Sequence, residues 1–229
     1  MIRGGETIAY YKFETNLIQK SFDLKLEVLF QDDFIAAINK PAGILVSGNS
    51  FKTIANALSQ NIAMSSLADA TDPQPVHRLD YATTGVLLVG KTSESIRSLN
   101  KLFENKQIQK MYYAITMGAM SLNGTINTPI DGKESCTQYE VLKTVESDRF
   151  KKLNLVKLTP KTGRRHQLRK HLASLGNPIL GDRDYCPEAL LLKKKGMYLH
   201  AASLAFIHPF TGAAITVDTG LPKRFVKLL

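Results

Sequence analysis

The sequence predicts an α+β fold built on a mixed, mainly antiparallel β-sheet flanked by helices. Strand-like apolar runs outnumber helical patterns along the chain. Neighbouring runs are often joined by short turns typical of hairpins, and the helical patterns are interspersed among them. The 229 residues have ample apolar content to bury the core of one large domain or two small ones.

The N-terminal half begins with a predicted hairpin. Residues 26–39 read as two apolar strands on either side of an Asp-Asp turn. Thr53 is expected to cap a helix. Residues 65–74 are polar and are expected to form a loop, whereas residues 86–89 are uniformly apolar and predict a short buried strand.

The C-terminal half alternates helices with further strands. Residues 93–105 carry apolar side chains on one helical face. A second helix is predicted over residues 166–175, where Gly176 ends it. The remaining strands are predicted at residues 111–117, 136–145, 149–159, 198–207 and 213–217.

Composition limits the classes of function. The chain has 30 Lys and Arg against 20 Asp and Glu, so its overall field attracts polyanions, although charge alone does not establish a nucleic-acid partner. No run approaches ~18 apolar residues and the first residues lack the apolar core of a secretory signal. We therefore expect a cytoplasmic protein that does not enter a membrane.

Cysteine and histidine usage gives no sign of a metal site. Cys136 and Cys186 are far apart and fit neither a disulfide framework nor a zinc ribbon. His166 and His171 lack the spacing of a metalloprotease helix, and no His-Glu-x-x-His string occurs. We therefore expect no metal site.

The run from Pro75 to Gly85 holds a single carboxylate, Asp80, in an unusual setting. A basic pair, His77 and Arg78, precedes Asp80, and a polar turn that ends in glycine follows it. A lone acid in this setting indicates covalent or acid-base chemistry.

Two cations lie at the start of the second predicted helix, where the helix dipole prefers anions. They are Arg164 and Arg165, and such violations of local rules tend to mark functional sites. Either guanidinium is expected to face a buried or bound anion, and the Asp80 carboxylate is one candidate. The alternative is a solvated basic turn.

Tyr112 and Tyr113 are consecutive in a predicted strand and therefore face opposite sides of the sheet. One ring can pack in the core while the other lines a cleft. A tyrosine in a cleft offers a flat face on which a nucleic-acid base stacks. The alternative is that both rings belong to the core.

Five segments in this order resemble the RluA-type pseudouridine synthase family. The resemblance spans roughly residues 26–212 and is specific because all five short motifs occur in register. The motifs are Asn39-Lys-Pro-Ala-Gly43, His77-Arg-Leu-Asp80 with Thr83-Thr-Gly85, Lys110-Met-Tyr-Tyr-Ala114, Thr162-Gly-Arg-Arg-His-Gln-Leu-Arg169 with Pro178-Ile-Leu-Gly-Asp182, and Leu199-His-Ala201 with His208-Pro209.

The resemblance implies a single pseudouridine-synthase-like catalytic domain over residues 26–229, which isomerises uridine in RNA to pseudouridine without cofactor or metal. It implies that Asp80 is the catalytic aspartate, that Tyr112 stacks on the target base and that Arg164 pairs with the Asp80 carboxylate. The expected RNA contacts are Arg78, His77, Lys40, Arg165 and Arg169. The expected partner is large-subunit rRNA or tRNA, and the single domain favours a monomer.

The chain also departs from the family pattern. Thr84 stands where serine is usual, and Thr116 replaces a commoner apolar residue. Many relatives carry an N-terminal RNA-binding domain, whereas residues 1–25 form only an extension that we interpret as a remnant of such a domain. Two other functions are open: a non-catalytic RNA-binding or RNA-folding protein with the same basic cleft, and a metal-dependent nuclease, which the lack of clustered carboxylates disfavours.

Overall fold

The computed structural model describes residues 22–192 and 196–229. Its strands are β1 (Glu27–Gln31), β2 (Ile35–Lys40), β3 (Ala70–Pro75), β4 (Thr84–Thr92), β5 (Gln109–Met117), β6 (Asn123–Ile126), β7 (Thr137–Ser147), β8 (Lys151–Pro160), β9 (Leu199–Ile207) and β10 (Ala214–Asp218). Its α-helices are α1 (Ser93–Glu104), α2 (Gln167–Ser174) and α3 (Lys223–Val226). Short 3-10 helices cover Ala55–Gln60 and Glu188–Leu190.

All ten strands belong to one sheet, in the order β1-β2-β4-β9-β5-β8-β7-β6, with β3 paired to β4 and β10 paired to β9. Every pairing between these strands is antiparallel except that of β4 with β9. The predicted α+β class with a mixed, mainly antiparallel sheet is therefore confirmed.

Both faces of the sheet are covered, which explains the uninterrupted apolar runs in the sequence. Alternate residues of β4 face opposite cores: Leu87 and Val89 lie in one cluster, and Val86 and Leu88 in another. The same alternation separates Ala114 from Ile115 in β5. A strand buried on two faces has no polar side, so its sequence shows no alternation.

The structure confirms the N-terminal hairpin, but it corrects the loop predicted at residues 65–74 and the type of helix predicted after Thr53. The Asp32 carboxylate accepts the backbone N–H groups of Phe34 and Ile35, each at 2.8 Å, and so closes the turn between β1 and β2. Residues 65–74 are not entirely a loop, because β3 begins at Ala70 and pairs with β4. Thr53 accepts the N–H of Asn56 at 3.3 Å, but the helix that follows is 3-10 rather than α.

The parallel contact between β4 and β9 joins the two halves of the sheet. Thr84 pairs with His200 and Gly85 pairs with Ala201. The His200 ring bridges the hydroxyls of Thr84 and Thr219, each at 2.7 Å. Burial lowers the pKa of His200 to about 4, so the ring is neutral. We call the parallel pairing of β4 with β9 the β4–β9 seam.

The predicted N-terminal extension is only partly within the described residues. Residues 1–21 lie outside the described residues, and so does the interpretation of this segment as a domain remnant. Phe22 and Leu24 pack against the core beneath β2 and β4, and Asn61 hydrogen-bonds to the backbone of Leu24 and Leu26. In the two described ranges, no helix is long and apolar enough to cross a membrane.

We predict that Gly85→Ala destabilises the fold. Gly85 has φ +115°, and a Cβ there would lie 2.0 Å from the carbonyl oxygen of Ala201 across the seam. Backbone strain and overlap together should cost about 2–5 kcal/mol of unfolding free energy, measured by urea denaturation.

Gly212→Ala is the matched control. Gly212 also has positive φ, +70°, but a Cβ there meets nothing within 4 Å. Its cost should be confined to backbone strain, about 1–2 kcal/mol. Equal destabilisation by the two substitutions would show that the close approach at the seam carries no energy of its own.

Candidate active site

A cavity of about 470 Å³ opens beside the β4–β9 seam. Three stretches form its walls: residues 76–80 before β4, the start of β5, and residues 162–169 leading into α2. The seam and the β5–β9 pairing bring these stretches together although they are far apart in sequence. The cavity therefore contains Asp80, Tyr112 and the basic segment around Arg164 at once.

A buried lysine holds the loop that carries Asp80. The Lys40 side chain is fully buried, and its ammonium donates to the carbonyl oxygens of Pro41 (2.9 Å), Tyr81 (3.3 Å) and Thr83 (2.9 Å). Burial lowers the pKa of Lys40 to about 8, against the opposing attraction of Asp80. The expected RNA contact of Lys40 is wrong, because all three donors of its ammonium are used inside the protein.

The guanidinium that faces Asp80 belongs to Arg169 and not to Arg164. Arg169 Nη1 lies 3.4 Å from Asp80 Oδ2. Arg164 is exposed and instead donates its Nε to the carbonyl oxygen of Glu134 at 2.9 Å. The expected pairing of Arg164 with Asp80 is therefore corrected: Arg169, in the first turn of α2, takes that position.

The expected RNA contact of Arg169 is also corrected, because the residue is only 6% exposed and its guanidinium is hydrogen-bonded to carboxylates of the protein. It forms a bidentate pair with the buried Asp182, at 2.7 and 2.6 Å, and reaches Asp184 Oδ2 at 2.6 Å. Burial alone would lower the pKa of Arg169, but hydrogen bonds to Asp182 and Asp184 raise it above its usual value. The side chain is a fixed positive charge beside Asp80.

His77 lines the cavity but does not supply the charge expected of a phosphate ligand. Its Nε2 accepts the N–H of Leu88 at 2.9 Å, and its ring packs 4.7 Å from that of Phe103. Burial, reinforced by Lys110, lowers the pKa of His77 to about 3. A neutral ring that accepts a backbone hydrogen bond is a structural group, which corrects the expected RNA contact.

Three exposed guanidiniums line the cavity where it meets solvent: Arg78, Arg164 and Arg165. Within residues 22–192 and 196–229, none of them forms an ion pair with a carboxylate. We call Arg78, Arg164 and Arg165 the rim arginines. Their charge is available to an anionic ligand.

The two tyrosines of β5 separate as the strand pattern predicts. Tyr112 lines the cavity, whereas Tyr113 packs into the core on the opposite face. Burial, together with the nearby charge of Asp80, raises the pKa of Tyr112 above its usual range. The hydroxyl is therefore protonated at neutral pH, and the ring offers an aromatic wall near Asp80.

Sequence reasoning missed His166 and Tyr185. His166 Nε2 lies 3.7 Å from Asp80 Oδ1, and its Nδ1 lies 2.9 Å from the Tyr185 hydroxyl. The spacing of His166 and Arg169, three residues apart at the start of a predicted helix, could have placed both on one face. Tyr185 had no comparable signal, because it lies in an irregular segment after the Gly181-Asp182 turn.

Metal-ligating side chains do not gather in the described part of the chain. No group of three or more His, Cys, Asp or Glu side chains there has the geometry to hold an ion. The carboxylates of Asp182 and Asp184 are bound to Arg169, the residue that also faces Asp80.

The chain is similar to known proteins in sequence and in fold. The tRNA pseudouridine synthase C of Haemophilus influenzae is 35% identical over 234 residues, which cover 89% of this chain and 96% of that protein. The ribosomal large subunit pseudouridine synthase D of Zymomonas mobilis is 33% identical over 229 residues, covering 88% and 71%. Among solved structures, human RNA pseudouridylate synthase domain containing 4 superposes with a TM-score of 0.71 at 28% identity, covering 87% of this chain and 90% of that one.

The family model described as RNA pseudouridylate synthase matches residues 35–174, a range that includes Asp80, Tyr112 and Arg169. The chain belongs to the RNA pseudouridylate synthase family, whose members are isomerases that act on RNA.

Proposed function

We propose that this protein is an RNA pseudouridine synthase in which Asp80 is the catalytic carboxylate, Tyr112 stacks on the target uracil and Arg169 orients Asp80. One observation carries the proposal: the cavity holds a carboxylate that is flanked by a fixed guanidinium and lies near an aromatic wall. This is the arrangement that a nucleophile or base acting on an extruded nucleoside requires.

The rim arginines supply the affinity for RNA. A uridine within an RNA stem or loop must leave its stack to reach Asp80, at a cost of a few kcal/mol. Contacts of Arg78, Arg164 and Arg165 with phosphates offset that cost. Their exposure suits them to a polyanion, whereas the buried Arg169 and Lys40 hold the active-site loop.

The chemistry begins once the extruded base lies against Tyr112. Asp80 then attacks the anomeric carbon, adds to the pyrimidine ring or assists formation of a glycal, and these three routes share the same geometry. The freed uracil turns within the cavity and rejoins the sugar through carbon, a step that requires exclusion of water. The ring carbon then gives up its proton to the Tyr112 hydroxyl, which passes its own proton to the Asp80 carboxylate freed when the new bond forms. The uracil nitrogen that left the sugar takes up a proton in exchange.

The family comparison and the site together disfavour the two alternatives. A protein that only binds RNA gains nothing from a carboxylate that faces phosphates. A metal-dependent nuclease needs clustered carboxylates free to bind ions, and Asp182 and Asp184 are bound to Arg169.

We propose tRNA or large-subunit rRNA as the substrate, on the strength of the relatives. The Haemophilus influenzae protein is named for tRNA and the Zymomonas mobilis protein for the large ribosomal subunit. A single catalytic domain favours a monomer, and both RNAs favour a cytoplasmic location. Mapping pseudouridines in total RNA from cells with and without the gene identifies the substrate. An unchanged pseudouridine map would contradict the proposal.

We predict that Asp80→Asn abolishes isomerisation. The amide is nearly isosteric but cannot act as nucleophile or base, so turnover should fall by about 10³-fold or more. RNA affinity should stay within a few-fold, since the rim arginines are untouched. The measurement is tritium release from RNA labelled at uridine C5, with affinity by filter binding. Appreciable turnover of Asp80→Asn counts decisively against the assignment.

We predict that Arg169→Lys and Arg164→Lys differ sharply although both keep the positive charge. A lysine at 169 cannot reproduce the bidentate pair with Asp182 and the contact with Asp80, so kcat should fall by about 10²-fold. Arg164→Lys should retain kcat and raise KM by about 2–5-fold, as expected for an exposed phosphate contact. Urea denaturation establishes the folded fraction of each variant. The reverse order of effects would restore Arg164 as the partner of Asp80.

We predict that Tyr112→Phe separates the two roles of this side chain. The phenyl ring keeps the stacking surface, so RNA affinity should stay within about threefold of the wild-type value. The hydroxyl is lost, so kcat should fall by about 10²-fold if that group takes part in proton transfer, as proposed. Collapse of RNA binding in this variant would disprove the stacking role, and unchanged kcat would disprove the proton transfer.

A further inference from the structure

The Asp80 carboxylate has a different neighbour at each oxygen. Arg169 Nη1 lies 3.4 Å from Oδ2, and His166 Nε2 lies 3.7 Å from Oδ1. The side chains of both neighbours are largely buried, 7% exposed for Arg169 and 17% for His166. Rotation of the carboxylate about its Cβ–Cγ bond would therefore disturb two partners rather than one.

The backbone at His166 has the left-handed conformation, with φ 56° and ψ 26°, immediately before α2. Glycine and asparagine adopt this region most readily, and most other side chains occupy it at a cost. The His166 side chain makes no capping hydrogen bond to the helix that it precedes. Helix capping therefore does not explain why a histidine occupies this position, and the side chain is directed to Asp80 instead.

Tyr185 contacts the His166 imidazole through both its hydroxyl and its ring. Its hydroxyl lies 2.9 Å from His166 Nδ1, and its ring packs edge-on against the imidazole at 5.7 Å between centroids. The same ring lies beneath the Arg169 guanidinium, 4.9 Å from its Cζ. Tyr185 thus contacts both partners of Asp80.

The protonation of His166 follows from this arrangement. Burial lowers the pKa of His166, against the opposing attraction of Asp80. A neutral imidazole carries one N–H, and its position is set by the hydrogen bond that the other nitrogen makes. When the Tyr185 hydroxyl donates to Nδ1, the hydrogen resides on Nε2, which faces the Asp80 carboxylate.

We propose that His166 is a positioning residue for Asp80, held by Tyr185 in the tautomer that directs Nε2–H toward Oδ1. The inference rests on the proposed function, because it concerns the carboxylate that carries the isomerisation. With Arg169 on Oδ2 and His166 on Oδ1, the plane of the carboxylate is fixed before the nucleoside enters. His166 acts through Asp80, and no bond is made to it during the reaction.

The first test compares His166→Asn with His166→Gln. Asparagine suits the left-handed backbone but its amide is too short to reach Asp80, whereas the glutamine amide extends about as far as Nε2. We expect His166→Asn to unfold at a urea midpoint equal to or above that of the wild type, yet to lose kcat by about tenfold or more with little change in KM. His166→Gln should recover part of that kcat.

These two variants separate positioning from a purely structural role. A structural role predicts that stability and activity fall together in His166→Asn, and that result would overturn the proposal. Two other results would also overturn the proposal: a kcat of His166→Asn equal to that of the wild type, or a kcat of His166→Gln no higher than that of His166→Asn.

The second test uses Tyr185→Phe, which keeps the ring against Arg169 and removes only the hydroxyl. We expect kcat to fall, and we expect His166→Asn combined with Tyr185→Phe to be no slower than His166→Asn alone, since both act through one contact. Additive losses would mean that Tyr185 acts independently of His166 and would overturn its proposed role.

A measurement that does not need RNA separates failure of this inference from failure of the proposed function. In protein labelled with ¹⁵N at histidine, the imidazole shifts of His166 should report hydrogen on Nε2, and Tyr185→Phe should shift the population toward Nδ1–H. Hydrogen on Nδ1 in the wild type would overturn the inference whatever the enzymatic assay shows. Conversely, the expected tautomer in a protein inactive on tRNA and rRNA would contradict only the proposed function.

Discussion

The buried ion pair between Arg169 and Asp182 is the constraint on which the rest of the site depends. Removing a guanidinium and a carboxylate from water is costly, and their attraction offsets that cost only in good geometry. Here the pair is bidentate at 2.6 and 2.7 Å, and Asp182 is fully buried. Because Asp182 fixes two nitrogens of the guanidinium, the third is left to point at Asp80. The position of the Asp80 carboxylate is thus set from a turn about 100 residues further along the chain.

A second cation, the Lys40 ammonium, fixes the same loop. Lys40 ends β2, and its ammonium donates to the carbonyl oxygens of Tyr81 and Thr83 in the Asp80 loop. The backbone of that loop is therefore held by a residue of the sheet. Gly85 lets β4 approach β9 closely directly after this loop. The loop is therefore fixed through its backbone by Lys40 and through its side chain by Arg169. Preorganisation of this kind keeps the reacting group in place without help from the substrate.

Local patterns in the sequence predict most of the fold and the location of the site. The hairpin around Asp32, the apolar run of β4 and the amphipathic α1 are each encoded by neighbouring residues, and each is found in the structure. β3 was missed because Ala70–Pro75 is polar and forms a strand only through its pairing with β4. The pairing of Arg169 was missed for a related reason. Which arginine of residues 164–169 faces Asp80 depends on where α2 begins, and the left-handed backbone at His166 sets that point.

The positive charges around the cavity fall into two groups, the exposed rim arginines and the buried cations that hold Asp80 and its loop. Arg78, Arg164 and Arg165 are exposed, so their attraction for phosphates is screened by salt. Arg169 and Lys40 are buried among their partners, where screening is weak and the geometry is fixed. Under the proposed function, RNA bound by the rim arginines can therefore shift or differ in sequence without altering the environment of Asp80. Under the proposed function, selection among RNAs falls to the rim arginines and the shape of the cavity, and the rate of isomerisation depends on the buried residues that hold Asp80.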